Sequence, residues 1–98
     1  MYLLNSFSLQ MLEFPASVKF KEITKKEFIK KRDDKALLSA VGHADTAEIL
    51  GFELNRINVK LKTGDEFLVA QLQGGRLPEG SKTLPEGFEF KFIMGKIE

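Results

Sequence analysis

Cysteine is absent from this sequence, and histidine occurs once in 98 residues. Without thiols the chain can form no disulfide framework and no thiolate metal site. A single imidazole also leaves too few nitrogen ligands for a self-contained transition-metal site. We therefore expect neither a metal nor a cofactor.

Long hydrophobic runs are also missing. No apolar stretch approaches the roughly 18 residues that a membrane-spanning helix needs. The N-terminal residues Met1–Asn5 lack the basic segment that opens a signal peptide. We expect a cytoplasmic protein with no membrane partner.

Neither sign of charge is in excess. Lysine and arginine together number 15, and aspartate and glutamate 14, which gives a net charge of +1. A protein that binds duplex DNA needs a basic footprint for the phosphate backbone, so duplex DNA is not an expected partner. A small anionic ligand held by a few well-placed groups stays compatible with this charge.

What is present is the composition of one folded domain. Apolar residues make up 43% of the chain, which is typical of a globular protein and not of a disordered one. The length suits one domain, and the sequence contains no repeat, linker or low-complexity tract. Residues 1–98 are therefore predicted to fold as one unit.

Apolar runs and period-two alternation predict the strands. The segments with these patterns are 2–5, 17–23, 36–41, 55–61, 67–72 and 88–94. Thr63-Gly64-Asp65 predicts a hairpin turn that joins the strand at 55–61 to the strand at 67–72.

Two short helices are predicted as well. Thr24 and Glu27 have the capping-box spacing, which should open a helix that continues to about residue 31. This helix is rich in lysine, which indicates either a solvated face or a patch that attracts phosphate. A second helix should run from residue 43 or 44 to about residue 50 and end at Gly51. Together these elements predict an α+β fold, a mixed sheet of about five strands with short helices packed on one side.

The histidine lies where a predicted strand gives way to a helix, in Gly42-His43-Ala44-Asp45-Thr46. Glycine allows a ligand to approach the backbone closely, and the start of a helix offers N–H groups to an anion. An imidazole at this point can protonate a leaving group, because histidine changes charge near physiological pH. The alternative is that His43 only caps the helix or bonds to a backbone carbonyl.

Two further segments could bind a ligand. The glycine-rich loop after the strand at 67–72 contains Arg76, which could hold a phosphate through two N–H groups, and Glu79, which could orient a sugar hydroxyl or the imidazole. The alternative is a surface loop with an Arg–Glu ion pair of little energetic worth. The segment Asn5-Ser6-Phe7-Ser8 offers amide and hydroxyl groups after the first strand, and the alternative is a simple turn.

Few enzymatic reactions fit these residues. No nucleophile-elbow pattern supports a Ser-His-Asp hydrolase. Asp33-Asp34 lies inside a basic stretch and is not the carboxylate cluster of a metal nuclease. Metal-independent cleavage of RNA remains, because the 2′-hydroxyl of the substrate is the nucleophile and the protein needs only alignment, a cation and a proton donor.

The order of these segments resembles one family over nearly the whole chain. The residues that carry the resemblance are Tyr2–Ser8, Met11-Leu12, Val41-Gly42-His43 with Thr46, Asn55-Arg56, Val59, Gln71, Gly75-Arg76-Leu77-Pro78-Glu79-Gly80 and Phe88-Glu89. The family is that of the viral ring nucleases that act as type III anti-CRISPR proteins.

This resemblance implies a homodimer that binds cyclic tetra-adenylate, the second messenger of type III CRISPR systems. The protein would cut the ring without metal into linear di-adenylates that end in 2′,3′-cyclic phosphate, in the cytoplasm of the host cell. The resemblance makes His43 the general acid for the departing 5′-oxygen and Glu79 an orienting carboxylate. The implied ligand contacts are Asn5, Ser8, Gly42, Asp45, Thr46 and Arg76.

The chain departs from the family at two places. Ala44-Asp45 stands between the histidine and the threonine, where several viral members carry Asp-Ser. Residues 81–87 are too few for more than a turn, where many members have a helix before the last strand.

The symmetry of the ring agrees with a dimer. A ring of four nucleotides has near-twofold symmetry, and a twofold dimer offers two copies of one site. One histidine per chain would then make two cuts and release two dinucleotides. The alternative function is a non-catalytic protein of a virus or mobile element that binds cyclic nucleotides or nucleic acid, which the basic segment 25–32 favours.

Overall fold

A computed structural model describes residues 1–34 and 36–98 of the chain. The strands in these residues are β1 (Tyr2–Leu4), β2 (Val18–Ile23), β3 (Leu38–Ala40), β4 (Glu66–Gln73) and β5 (Glu89–Ile97). The helices are α1 (Lys25–Asp33), α2 (Ala44–Leu50) and a short 3₁₀ helix at Leu9–Met11. Neither α-helix in this part of the chain is long and apolar enough to cross a bilayer.

The strands form one mixed sheet in the order β2-β5-β4-β1-β3. Strand β1 lies between β3 and β4 and is parallel to both, with Leu3 opposite Ser39 and Leu68. Strand β5 is antiparallel to both β4 and β2. The predicted mixed sheet of an α+β fold is confirmed.

Both α-helices pack on the same face of the sheet. Phe28 of α1 stacks on Phe92 of β5, with ring centroids 4.3 Å apart. Ala47 and Leu50 of α2 are buried in the same apolar cluster, which also contains Leu3 of β1. The prediction of helices on one side of the sheet is therefore confirmed.

Irregular chain covers the opposite face of the sheet. Phe67 of β4 is fully buried there, and its ring stacks on Phe7 with centroids 5.2 Å apart. Val59 and Leu61, which precede β4, belong to the same apolar cluster. Aromatic stacking and these buried side chains close this face without an α-helix.

The predicted strand at 55–61 is wrong. Residues 53–60 have no strand pairing, and Leu61 forms one isolated bridge with Leu12. The physical reason is that β1 and β5 occupy both edges of β4, so no edge is left for a hairpin partner. A turn does form at Thr63-Gly64, but it leads into β4 and joins no pair of strands. The alternation of apolar and polar residues at 55–61 reflects the burial of Val59 and Leu61, and it does not indicate strand pairing.

The predicted ends of the helices hold in the structure. Thr24 and Glu27 form both bonds of the capping box, and α1 continues two residues beyond the predicted end. Gly51 ends α2 with a left-handed φ of 80°, a conformation that favours glycine. Residues 81–87 contain bends and turns and no helix, as the shortness of this segment predicts.

Gly95→Ala should destabilise the fold, because a Cβ at Gly95 would overlap the ring of Phe67, which cannot move away. We expect the free energy of unfolding in urea to fall by roughly 1–3 kcal/mol, the usual cost of overpacking. Gly42→Ala is the matched control, since neither glycine has a positive φ and a Cβ at Gly42 would lie 3.7 Å from Arg56 Cγ. Equal losses in the two variants would contradict this account of the core.

Candidate functional site

The candidate site lies at the carboxyl ends of the three parallel strands. Asn5 follows β1, Val41–His43 follow β3, and the loop 74–80 follows β4. Because β1, β3 and β4 run in the same direction side by side, their carboxyl ends meet at one edge of the sheet. This edge is where open sheets with parallel strands usually bind ligands.

The turn after β3 is tied to two other segments through Gly42. The amide of Gly42 donates to Asn5 Oδ1 at 3.1 Å. The carbonyl of Gly42 accepts from Arg56 Nε at 3.0 Å. The amide of Gly42 therefore already has an acceptor and is not free for an anion.

His43 caps helix α2. Its Nδ1 accepts from the backbone amide of Thr46, with 3.4 Å between the two nitrogens. The hydroxyl of Thr46 lies at the same distance from Nδ1, 3.4 Å. Capping does not end the chemical use of the ring, because Nε2 takes no part in either contact. The amide of Thr46, however, already has a partner and is not free for an anion.

A pocket of about 470 Å³ opens beside His43. It is lined by Asn5, His43, Thr46, Leu72, Gly75, Arg76 and Leu77. This volume lies in the range of small-molecule sites, roughly 300–1,000 Å³. The lining contains an imidazole, a guanidinium and no carboxylate, so its electrostatic character favours an anionic ligand.

The loop that holds Arg76 is anchored at two points, near its middle and at its end. Leu77 is buried with 6% of its surface exposed. Asp45 on α2 accepts a hydrogen bond at Oδ2 from the amide of Gly80, at 3.1 Å. Asp45, a predicted ligand contact, is thus hydrogen-bonded to the loop in the structure. It is not among the residues that line the pocket.

Besides Gly42 and Asp45, two more of the predicted site residues do not line this pocket. Ser8 caps the 3₁₀ helix by accepting from the amide of Gln10 at 3.3 Å. Glu79 is exposed near the end of the loop and forms no ion pair with Arg76 within residues 1–34 and 36–98. Neither residue lines the pocket, and their roles toward a ligand stay predictions.

Arg56 and Leu77 were not selected as site residues from the sequence. Arg56 positions the turn before His43 by its bond to the Gly42 carbonyl, and Leu77 anchors the arginine loop and lines the pocket. The signal for Leu77 was an isolated apolar residue in an otherwise polar, glycine-rich loop. For Arg56 the sequence held no signal besides the resemblance, since its partner is a backbone atom 14 positions away.

No group of three metal-ligating side chains occurs within the part of the chain that the structure describes. The pocket beside His43 contains one imidazole and no carboxylate, so its donor set does not suit a divalent cation.

Comparison with known proteins reveals relatives of this chain. A family model described as STIV B116-like matches residues 1–91. Among solved structures, B116 of Sulfolobus turreted icosahedral virus superposes with a TM-score of 0.77 at 28% sequence identity, covering 97% of this chain and 97% of that chain. No curated protein matches the chain. The five-stranded α+β fold is therefore shared with a viral protein.

Asp45→Ala should release the loop that carries Arg76, because the amide of Gly80 loses its acceptor. Hydrogen bonds to charged groups are worth roughly 1.5–3 kcal/mol, so we expect the Gly80 amide to exchange with solvent about tenfold faster or more. Asp45→Asn keeps a side-chain oxygen and should preserve most of the protection. Glu48→Ala, on an exposed position of the same helix, should leave it unchanged. Unaltered exchange at Gly80 in Asp45→Ala would show that this bond does not hold the loop.

Proposed function

The chain belongs to the STIV B116-like family, and we propose that it is a metal-independent ring nuclease that cleaves cyclic tetra-adenylate into linear di-adenylates. By removing this second messenger it would antagonise type III CRISPR signalling in the cytoplasm of the host cell. The observation that carries the proposal is the pocket in which the one histidine of the chain and Arg76 meet without a carboxylate. The resemblance of the sequence to viral ring nucleases supplies the identity of the substrate.

Arg76 and His43 have different roles in the proposed cleavage. Arg76 binds a phosphate of the ring and offsets its charge as the phosphorus gains a fifth oxygen. The 2′-hydroxyl of the substrate forms the new bond to phosphorus and loses its proton to water. The bond from phosphorus to the 5′-oxygen breaks, and protonated His43 gives its Nε2 proton to that oxygen. The products end in a 2′,3′-cyclic phosphate and a 5′-hydroxyl.

The part that Glu79 can play depends on which group it orients. In the structure its side chain is exposed and lies outside the lining of the pocket. An orienting carboxylate must lie within hydrogen-bond distance of the group that it orients. To orient the imidazole, Glu79 would have to move closer to His43 when the ring binds, whereas a sugar hydroxyl of the ring can be oriented from outside the pocket.

A homodimer completes the site in this proposal. A pocket of about 470 Å³ suits a drug-sized ligand, and a ring of four nucleotides is larger than such a ligand. Two pockets related by a twofold axis would each hold one half of the ring. With one histidine in each chain, the dimer would make one cut in each half and release two di-adenylates.

His43→Ala separates an enzyme from a protein that only binds. In EDTA, the parent protein should convert cyclic tetra-adenylate to di-adenylates with 2′,3′-cyclic phosphate, identified by mass spectrometry. Loss of the general acid should slow single-turnover cleavage by roughly 10²–10⁴-fold. Affinity should change much less, because Arg76 still binds phosphate and the proton transfer belongs to the transition state.

The outcomes of this experiment are distinct. Cleavage by His43→Ala at the parental rate would remove His43 from the mechanism. Tight binding by the parent protein without cleavage would favour the non-catalytic alternative. A monomer by light scattering that still released two di-adenylates would exclude the dimer.

Arg76→Ala should weaken binding of cyclic tetra-adenylate far more than Lys30→Ala does. A charge-assisted contact to phosphate is worth roughly 1.5–3 kcal/mol, which is about 10- to 150-fold in affinity. Lys30 is exposed on α1 and lies outside the pocket, so its removal should cost well under about 1 kcal/mol. Equal losses in a calorimetric titration would show that the loop is not the phosphate site.

A further inference from the structure

Thr46 is the one buried polar residue in the part of the chain that the structure describes, with 6% of its surface exposed. Its hydroxyl contacts the imidazole of His43, with 3.4 Å between Oγ1 and Nδ1. Thr46 also donates its backbone amide to the same Nδ1. Thr46 thus presents two groups to Nδ1 of the only imidazole in the chain. One is a backbone N–H, which can only donate, and the other is a hydroxyl, which can donate or accept.

The cap determines which nitrogen of His43 carries the proton in the neutral ring. Nδ1 accepts from the amide of Thr46, and a nitrogen that accepts a hydrogen bond holds no proton. The neutral ring therefore carries its proton on Nε2, the nitrogen left free for a ligand. This neutral form is not the general acid of the proposed reaction, because it would leave an imidazolate behind after giving its proton away.

The proton-donating form of His43 has a hydrogen on both nitrogens. The Nδ1–H group then points at the amide of Thr46, which is itself a donor and cannot accept. Without another acceptor the ring would have to leave the cap and turn away from the pocket. A hydroxyl can both donate and accept, and the hydroxyl of Thr46 is already in place at Nδ1.

We propose that the hydroxyl of Thr46 accepts the Nδ1–H of protonated His43 and so keeps the ring oriented while Nε2 gives up its proton. Thr46 is then a positioning residue that acts through His43. The inference rests on the proposed function, and it assigns the hydroxyl to the imidazole and not to a ligand contact.

None of the charged side chains described near His43 accepts a hydrogen bond from its Nδ1–H. Arg76 lines the same pocket but offers only donors. Arg56 bonds to the Gly42 carbonyl, and the carboxylate of Asp45 is engaged with the Gly80 amide. Within residues 1–34 and 36–98, Thr46 is the only residue whose side chain is hydrogen-bonded to His43 Nδ1.

Two substitutions at Thr46 separate the hydroxyl from the shape of the side chain. Thr46→Val removes the hydroxyl and keeps the branched volume, whereas Thr46→Ser keeps the hydroxyl. We expect Thr46→Val to slow single-turnover cleavage of cyclic tetra-adenylate by about 10- to 100-fold, the size of effect found when a hydrogen-bond partner that orients a metal-ligating histidine is lost. The affinity for cyclic tetra-adenylate should stay within about threefold of the parent. Thr46→Ser should cleave within about threefold of the parental rate.

Nitrogen-15 NMR of the ring supplies a readout that does not depend on activity. The chain has one histidine, so its ring signals need no assignment by mutation. At a pH where the imidazole is fully protonated, the Nδ1–H proton should be protected from solvent exchange in the parent and in Thr46→Ser. In Thr46→Val this protection should be lost. Thr46→Ala, which removes the same hydroxyl, should give the same result and serves as the second variant if Thr46→Val does not fold.

Each outcome decides the inference. Parental cleavage together with an unchanged Nδ1–H signal in Thr46→Val would overturn it. A loss of affinity as large as the loss of rate would make Thr46 a ligand contact instead. If the parent protein does not cleave cyclic tetra-adenylate, the proposed function fails, and protection of Nδ1–H in the parent but not in the valine variant still establishes the contact from Thr46 to protonated His43.

Discussion

Strand β1 is three residues long, and the arrangement of the candidate site depends on its pairing. It lies between β3 and β4 and is parallel to both. Leu3 and Leu4 are buried on opposite faces of the sheet, at 0% and 1% exposure, so the strand is held by apolar packing on both sides as well as by its neighbours. Because three parallel strands end at one edge, three loops from distant parts of the sequence meet there. An antiparallel β1 would place Asn5 at the opposite edge from His43 and Arg76.

The loops at this edge are joined by hydrogen bonds in which one partner is a backbone group. Asn5 and Arg56 hold the peptide groups of Gly42, and Asp45 holds Gly80. Such bonds orient the backbone without depending on the identity of the residue that is held. In the pocket lining, Nε2 of His43 and the guanidinium of Arg76 stay available to a ligand after these bonds are made. These bonds make a frame of the segments at Asn5, Gly42 and Gly80. The site combines this frame with an electropositive pocket.

The frame also explains how a capping histidine can take part in chemistry. Its Nδ1 faces the helix, where the amide and the hydroxyl of Thr46 are located. Its Nε2 is left for the pocket. In the proposed reaction this separation lets one nitrogen maintain the orientation of the ring while the other transfers a proton. The resemblance implies that Thr46 contacts the ligand, whereas in the proposal its hydroxyl contacts the imidazole of His43. These two roles predict different effects of the same substitution at Thr46.

Local signals in the sequence determined much of the fold. The capping box at Thr24 and Glu27, the alternation of β2 and β5, the apolar run of β4 and the terminating Gly51 each depend on residues a few positions apart, and the structure confirms them. The alternation at 55–61 predicted burial but not pairing, because the available edges of β4 depend on where β1 and β5 lie.

The sequence also singled out His43, Arg76, Asn5 and Thr46, and the tertiary structure brings these four together in one pocket. It could not show that Asn5 bonds to Gly42 over 37 positions or that Asp45 bonds to Gly80 over 35. Such contacts arise from the parallel pairing of strands, and no spacing within a single segment encodes them. The sequence by itself therefore determined which chemical groups are present and which elements carry them. Only the tertiary structure decided which of those groups face a ligand and which are used to hold the frame.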